Sequence, residues 1–322
     1  MARLFVMCGL QGSGKSSKAK QLIKEKCLLD GIIVSSDEIR KEMPDANNDK
    51  VFKILYKRVN QALKDGKDVI VDATNITMKS RKSLLNNITE DCLKCCYIMN
   101  TPYEICLERV RNRNKNPDSH YVPEDVVEKY YHSFEIPFAE EGWHQIEFDY
   151  YPRLGTSYMY LKSLLDKSQT FNQNNKHHTQ LLGEHMETVA KCLQKINAPA
   201  LLIEAGKYHD VGKLFTQTYK DGDPNAHYYD HANVGTYNLM CFSGIYSNSF
   251  QLHSLDKTLK WLFYINYHMK MHNIKTEKSK KKWERIFGSN NFYYLDVFNK
   301  ADCFRGDVEE FKVELIPNIF PF

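Results

Sequence analysis

The residues whose types and spacing could do chemistry fall into two groups. The first is Gly9-Leu10-Gln11-Gly12-Ser13-Gly14-Lys15-Ser16, which fits the pattern glycine, four residues, glycine-lysine-serine/threonine. Its glycines let several backbone N–H groups converge on an anion. The N-terminus of a following helix adds partial positive charge, and Lys15 supplies a full one. Ser16 is placed to ligate a magnesium ion carried by nucleotide phosphates. An apolar run at residues 4–8 leads in and a helix-compatible run at 17–29 leads out. That strand–loop–helix context turns a short pattern into a phosphate-binding expectation. A plain glycine turn would need neither Lys15 nor Ser16.

The second group lies far downstream: His185, the pair His209-Asp210 in Tyr208-His209-Asp210-Val211-Gly212-Lys213, then His231, His268 and Asp302. Imidazoles and carboxylates on different helices can converge inside a bundle to hold metal ions. The adjacent His209-Asp210 offers two ligands from one turn. A carboxylate such as Asp210 can bridge two metals, and water activated there can attack phosphorus. His177, His178, His253 and His272 read as ordinary core or surface histidines.

Elements that must position the first group follow from the alternation of short apolar strands with helical runs. Strands are expected at 4–8, 31–34, 68–71, 95–100 and 145–148, and helices after the loop and over 51–64. This pattern implies a parallel sheet covered on both faces, whose ligands gather at the carboxyl ends of the strands. The loop, Asp37 and Asp72 all fall at such ends. Asp37 can accept the proton of an attacking hydroxyl, and Arg40, three residues on, can orient a substrate phosphate. Equally, Ser36 or Asp37 can simply cap a helix, and Asp72-Ala73-Thr74-Asn75 can simply form a loop. An arginine-rich helix with Arg109, Arg111 and Arg113 runs into a polar stretch and then Val122-Pro123. It suits a lid that brings an arginine over a transferring phosphoryl group, or a solvated basic face.

Bulk properties set bounds. At 322 residues about two domains are expected. The net charge of +4 permits a polyanionic partner without requiring one. No apolar run approaches the ~18 residues of a membrane span, the phosphate loop consumes the only apolar run near the N-terminus, and nine cysteines point to reduced thiols. A cytoplasmic protein without a membrane partner is expected. Cys92, Cys95 and Cys96 could be half a zinc site, but no second pair sits at a zinc-ribbon spacing, and Cys95 and Cys96 open an apolar run to Met99 that reads as a buried strand. A helix at 158–166 is expected to finish the first domain, and the polar stretch 166–176 reads as a linker. Helices are expected at 180–196, 199–208, 231–243, 255–273 and 291–304, with no convincing strand. Lys79, Arg81 and Lys82, and Lys278-Ser279-Lys280-Lys281-Lys282, could track a nucleic-acid strand, although solvated faces are the default for such residues.

Over residues 1–152, the loop at Gly9–Ser16, Asp37-x-x-Arg40, Asp72 with Thr74-Asn75, and Arg109-x-x-x-Arg113 upstream of Val122-Pro123 together resemble the 5′-kinase module of the polynucleotide kinase family. The resemblance implies that Asp37 is the general base for a 5′-hydroxyl, that Arg40 contacts the acceptor's phosphate, and that Asp72 orients the Arg40 region. It implies that ATP and Mg2+ are held by Gly9, Gly12, Ser13, Gly14, Lys15, Ser16 and Ser17, with Arg109 and Arg113 from the lid. Over 178–322, the His-Asp series resembles the HD-domain phosphohydrolases. By that likeness His185, His209, Asp210 and Asp302 are metal ligands, and His231 and His268 match the extra histidines of dinuclear members. Lys213 would contact the scissile phosphate. The metal would be a divalent ion such as Mn2+, Ni2+, Co2+, Mg2+ or Fe2+.

The expected organisation is therefore an α/β P-loop kinase domain (1–152), a connecting helix and linker (153–177) and an all-α HD-type domain (178–322). The implied function is nucleic-acid end healing, phosphorylating 5′-hydroxyls and clearing 2′,3′-cyclic or terminal phosphates. Its partners would be RNA or DNA ends, RNA favoured, and a ligase. Two alternatives stay open on the sequence: a nucleoside or nucleotide kinase fused to a nucleotide phosphohydrolase, and a nucleic-acid-binding regulator whose HD half is catalytically silent.

Overall fold

A run of residues buried on both sides can only be a central strand of a covered sheet, and β1 (Arg3–Cys8) is buried from Leu4 to Cys8. The computed structural model describes residues 1–25, 28, 30–117, 121–149, 157–175, 180–242 and 254–316. From β1 the chain passes through α1 (Lys15–Glu25), β2 (Ile32–Ser35), α2 (Ser36–Glu42), α3 (Asn48–Lys64), β3 (Val69–Asp72), α4 (Met78–Asn87), β4 (Leu93–Met99), α5 (Tyr103–Asn114), α6 (Glu124–His132) and β5 (Gln145–Asp149). The five strands are all parallel, in the order β2-β3-β1-β4-β5. Val6 is paired with Val71 on one side and Cys96 on the other. The loop after β1, the start of α2 and Asp72 at the end of β3 thus lie at the carboxyl edge, where open α/β sheets bind ligands.

The chain divides into two units, Met1–Tyr131 with Pro137–Tyr151, and His132–Ile136 with Pro152–Phe322. In the first, Arg81 does not track a strand. It is fully buried, its Nε and Nη2 reaching Glu141 at 2.7 and 2.6 Å and its Nη1 donating to the Asn75 carbonyl. Trp143 Nε1 donates to the same carboxylate at 2.9 Å. A guanidinium can be buried this way because its planar fork meets a carboxylate in two parallel bonds. Cys95 and Cys96 are buried in β4.

The second unit is mostly helical: α7 (Ser157–Ser168), α8 (Leu182–Lys195), α9 (Ala200–Tyr208), α10 (Lys213–Thr216), then, past a hairpin, α11 (His231–Phe242), α12 (Leu255–His272), α13 (Glu277–Phe287) and α14 (Ser289–Asp302). The helix expected to finish the first domain belongs here instead. Leu161 and Leu164 are buried as α7 packs on α8 and α11. Nor is the following polar stretch a solvated linker, since Ser168 and Gln173 are fully buried. The hairpin, β6 (Gln217–Tyr219) and β7 (Ala226–Tyr228), was not anticipated because each strand is three residues long. The lysine run at 278–282 lies on α13. Residues His132–Ile136 insert among α11 and α12: Asn266 Oδ1 accepts from the Ile136 N–H at 2.7 Å, and Asn233 donates to the His132 carbonyl at 2.8 Å. Among the described residues no helix is long and apolar enough to cross a membrane.

Candidate active sites

The phosphate-binding loop is shaped by glycines that no other residue replaces. Gly12 has φ +79°, and a Cβ there would lie 2.3 Å from the Cys106 carbonyl oxygen; Gly14 has φ +94°. The loop is tied to its neighbours by Gly9 N–H to Thr74 O (2.9 Å) and Thr101 Oγ1 to Ser13 O (2.9 Å). Asn75, in the left-handed region and buried, donates to Met7 O and so braces the β3 loop against β1. This gives Thr74 and Asn75 a scaffolding part in the site.

Lys15 Nζ donates to Leu10 O at 2.6 Å. Burial pushes its ammonium below the usual lysine range, against the pull of Asp72. Ser16 Oγ donates to Asp72 Oδ2 at 2.6 Å. The Asp72 carboxylate thus meets the loop serine, where an ion on nucleotide phosphates would be held. Arg40 is held by Asp37 Oδ1 (3.2 Å) and Asn48 Oδ1 (3.0 Å).

Helix α2 separates the two readings of Asp37. Its N-cap is Ser35, whose Oγ accepts from the N–H groups of Asp37 and Glu38. The Asp37 carboxylate is therefore free of capping and remains 63% exposed. It lines a cavity of about 490 Å³ together with Lys15, Ser16, Ser17, Arg40, Asp72 and Arg113. Arg111 is turned to Glu124 through two 2.8 Å bonds. Arg113, near the end of α5, lines the cavity, and its Nε and Nη2 are buried without a hydrogen-bond partner among the described residues. Arg109 Nη1 sits 3.3 Å from Gly12 O. The Asn114 side-chain amide donates to the Val122 carbonyl at 2.7 Å and accepts from the Val122 N–H at 3.1 Å.

In the second unit the six sequence-predicted residues meet in one buried cluster. His185 comes from α8, His209 and Asp210 from the turn after α9, His231 from the start of α11, His268 from α12, and Asp302 from the end of α14. Three overlapping groups within it, each with ligand atoms inside 4.8 Å, are His185/His209/Asp210, His209/His268/Asp302 and Asp210/His231/His268. Glycines make this approach possible. A Cβ on Gly212 would lie 1.8 Å from the His231 carbonyl oxygen, and one on Gly235 2.9 Å from the Gly212 nitrogen. The glycine in His-Asp-Val-Gly-Lys is thus what lets the His209-Asp210 turn sit against the first turn of α11.

Three imidazoles are locked by backbone carbonyls: His209 Nδ1 to Gly206 O (2.9 Å), His231 Nδ1 to Tyr228 O (2.8 Å) and His268 Nδ1 to Ile265 O (2.7 Å). A carbonyl only accepts, so each Nδ1 carries a proton; each Nε2 faces the carboxylates and presents a lone pair to a metal once any proton it carries in the metal-free protein leaves. Those three Nε2 atoms are buried with no hydrogen-bond partner among the described residues. They lie 3.0–3.6 Å from carboxylate oxygens of Asp210 or Asp302 without hydrogen-bond alignment. Orphaned imidazole nitrogens beside carboxylates, each braced from behind, fit a divalent metal centre.

The carboxylates are strongly acidic. Burial alone would raise Asp210, but Lys213 and the surrounding imidazoles hold it well below the usual range. For Asp302 the same burial is outweighed by His185, His209 and His272. Lys213 Nζ lies 2.6 Å from Asp210 Oδ2 and donates to Gln173 Oε1 at 2.9 Å. Two participants escaped the sequence reading. His272, read as an ordinary histidine, has Nε2 3.1 Å from Asp302 Oδ2, a contact hinted at only by its one-turn distance from His268. Gln173 was hidden in the polar stretch. His177, His178 and His253 lie outside the described residues.

A protein-family profile described as an AAA domain matches residues 4–137. No curated protein sequence matches the chain. Among solved structures, a chain of the Pnkp1/Rnl/Hen1 RNA repair complex is 24% identical with TM-score 0.36, covering 40% of this chain and 42% of that one. This chain therefore spans only about two fifths of that protein's length. A gluconokinase from Sinorhizobium meliloti 1021 is 14% identical with TM-score 0.34, covering 47% and 84%. A shikimate kinase from Acinetobacter baumannii is 14% identical with TM-score 0.30, covering 53% and 97%. The first unit is a parallel five-stranded sheet covered by helices with the phosphate-binding loop after its first strand, and a mostly helical region follows it.

Proposed function

We propose that the chain heals nucleic-acid ends with two sites, an ATP-dependent 5′-hydroxyl kinase and a metal-dependent phosphohydrolase that clears 2′,3′-cyclic or terminal phosphates. RNA is the favoured substrate and a ligase the expected partner. The observation that carries the kinase half is the Asp37 carboxylate, relieved of capping by Ser35 and facing the cavity of the phosphate-binding loop with Arg40 beside it. Asp37 would take the proton of the attacking hydroxyl, and Arg40 would seat the acceptor's phosphate. Lys15, the loop N–H groups and Arg113 would spread the charge of the transferring γ-phosphoryl.

In the helical unit, the three orphaned Nε2 atoms support His185, His209, His231, His268, Asp210 and Asp302 as the metal-holding set. Divalent ions bound there would supply Lewis acidity toward a phosphoryl oxygen and acidify a water. Lys213 would then face the scissile phosphate, and the backbone carbonyls behind the imidazoles would keep them aimed. The identity of the acceptor rests on the likeness of the Asp37/Arg40 pair to polynucleotide kinases.

The test supplies γ-labelled ATP with a 5′-hydroxyl oligoribonucleotide and, separately, with free nucleosides. Label on the oligonucleotide is expected, and label on nucleosides alone would overturn the reading.

A further inference from the structure

Large apolar side chains left in water call for a reason when they cluster beside a site. Among the described residues, Phe215, Tyr219 and Tyr229 are exposed at 45%, 54% and 53%. All three fall on the short stretch between Lys213, which contacts Asp210, and His231 of the imidazole–carboxylate cluster. Phe215 lies on α10 and Tyr219 on the face of the β6–β7 hairpin that also carries Gln217 and Tyr228, whereas Tyr229 follows β7 on the opposite, outer face. Cross-strand partners Thr218 and His227 share the outer face, and by the two-residue period Lys220 and Tyr229 continue it.

On that face the His227 and Tyr229 rings lie parallel, 5.6 Å apart at 3°. Asp223 Oδ2, 3.1 Å from His227 Nε2, steadies the imidazole, and Lys220 Nζ stands 5.5 Å over the Tyr229 ring. The inner face is anchored to the site. Tyr228 donates its hydroxyl to Gln173 O, and its own carbonyl accepts from His231 Nδ1. Tyr229 therefore stands two residues before the proposed ligand His231, whose Nδ1 is held by the Tyr228 carbonyl.

We propose that the outer face of this hairpin, His227 and Tyr229 with Lys220 over the Tyr229 ring, is a stacking platform for a nucleobase of the strand whose end is processed at the cluster. The inference rests on the end-healing reading. Aromatic faces accept any base, which suits an enzyme that must act on ends of any sequence, and a lysine beside them meets the strand's phosphates. The hairpin would then supply affinity for a polynucleotide, and the cluster the chemistry.

The experiment measures kcat/KM for phosphate release from a 3′-phosphorylated oligoribonucleotide, from the same strand made abasic near its 3′ end, and from p-nitrophenyl phosphate. Tyr229→Ala is expected to lower the value about tenfold on the intact strand, to leave the other two substrates unchanged, and to be rescued by Tyr229→Phe. Equal activity of the variant on the intact strand, or an equal loss on all three substrates, would overturn the platform while leaving the end-healing reading in place. A wild-type protein that hydrolyses p-nitrophenyl phosphate but neither strand would overturn the end-healing reading and the platform with it. A 2-aminopurine near the 3′ end reads stacking without turnover. Quenching by wild type that is lost in Tyr229→Ala is expected, and the same quenching by both would contradict the platform.

Discussion

The two candidate sites are built on opposite plans. Around the phosphate-binding loop the charged groups sit on flexible side chains that bond to one another and to their own loop. Lys15 reaches Leu10 O, Ser16 reaches Asp72, and Arg40 reaches Asp37. Nucleotide binding there must exchange these partners for phosphate oxygens. In the helical unit the imidazoles are fixed from behind by carbonyls and aim unpaired nitrogens inward. The first plan suits a substrate that arrives and leaves with each turnover, the second an ion that stays. The contrast predicts that the cluster is sensitive to backbone shape and the loop site to individual charges.

The largest effect should come from Gly212→Ala, because its Cβ would collide with the His231 carbonyl at 1.8 Å. Loss of metal from the second unit and destabilisation by about 4 kcal/mol are expected, with binding of an ATP analogue to the first unit retained. Metal analysis and thermal melts check this, and unchanged metal content would break the comparison.

Next in size is ligand stabilisation. Manganese at about 100 times its dissociation constant should stabilise the protein by about 2.7 kcal/mol. The effect should vanish in His209→Ala and persist in Lys15→Ala, as read by the melting temperature.

Acid should act on the same cluster. The carboxyls of Asp210 and Asp302 are held well below their ordinary values. The unfolded chain therefore binds their protons first as pH falls. The stability they contribute in the metal-free protein is complete above about pH 4 and declines below it, as the folded pKa is approached. Acid melts of Asp302→Asn should show a shallower loss than wild type over that range.

The smallest effect concerns the loop side. Ser35→Ala removes the cap of α2 and should cost about 1 kcal/mol, with slower phosphoryl transfer as Asp37 loses its fixed position. A melt and a kinase assay separate the two consequences.

What could be read from the sequence was whatever is local. The phosphate-binding loop, Asp37 at a strand end and the His209-Asp210 turn carry their meaning within a few residues of spacing. Long-range pairing was not legible. Arg81 looks like one more surface cation until Glu141, sixty positions on, is folded against it. Gln173 sits in a stretch whose composition says linker, yet it is buried and holds Lys213. His272 has no motif around it, and only the return of α14 brings Asp302 to its ring. The hairpin escaped notice because three-residue strands leave no periodicity to count. The contact of Asp72 with Ser16 is not legible along the chain, because adjacency at the sheet edge is set by strand order: β3 lies beside β1, which puts its last residue next to Ser16.

The claim of two separate sites is tested most directly by one substrate carrying both a 5′-hydroxyl and a 2′,3′-cyclic phosphate, offered with ATP to Asp37→Ala and Asp210→Ala. The account predicts that Asp37→Ala loses 5′ phosphorylation at least about a hundredfold while still opening and clearing the cyclic phosphate, and that Asp210→Ala does the reverse. Loss of both activities in either well-folded variant would contradict it.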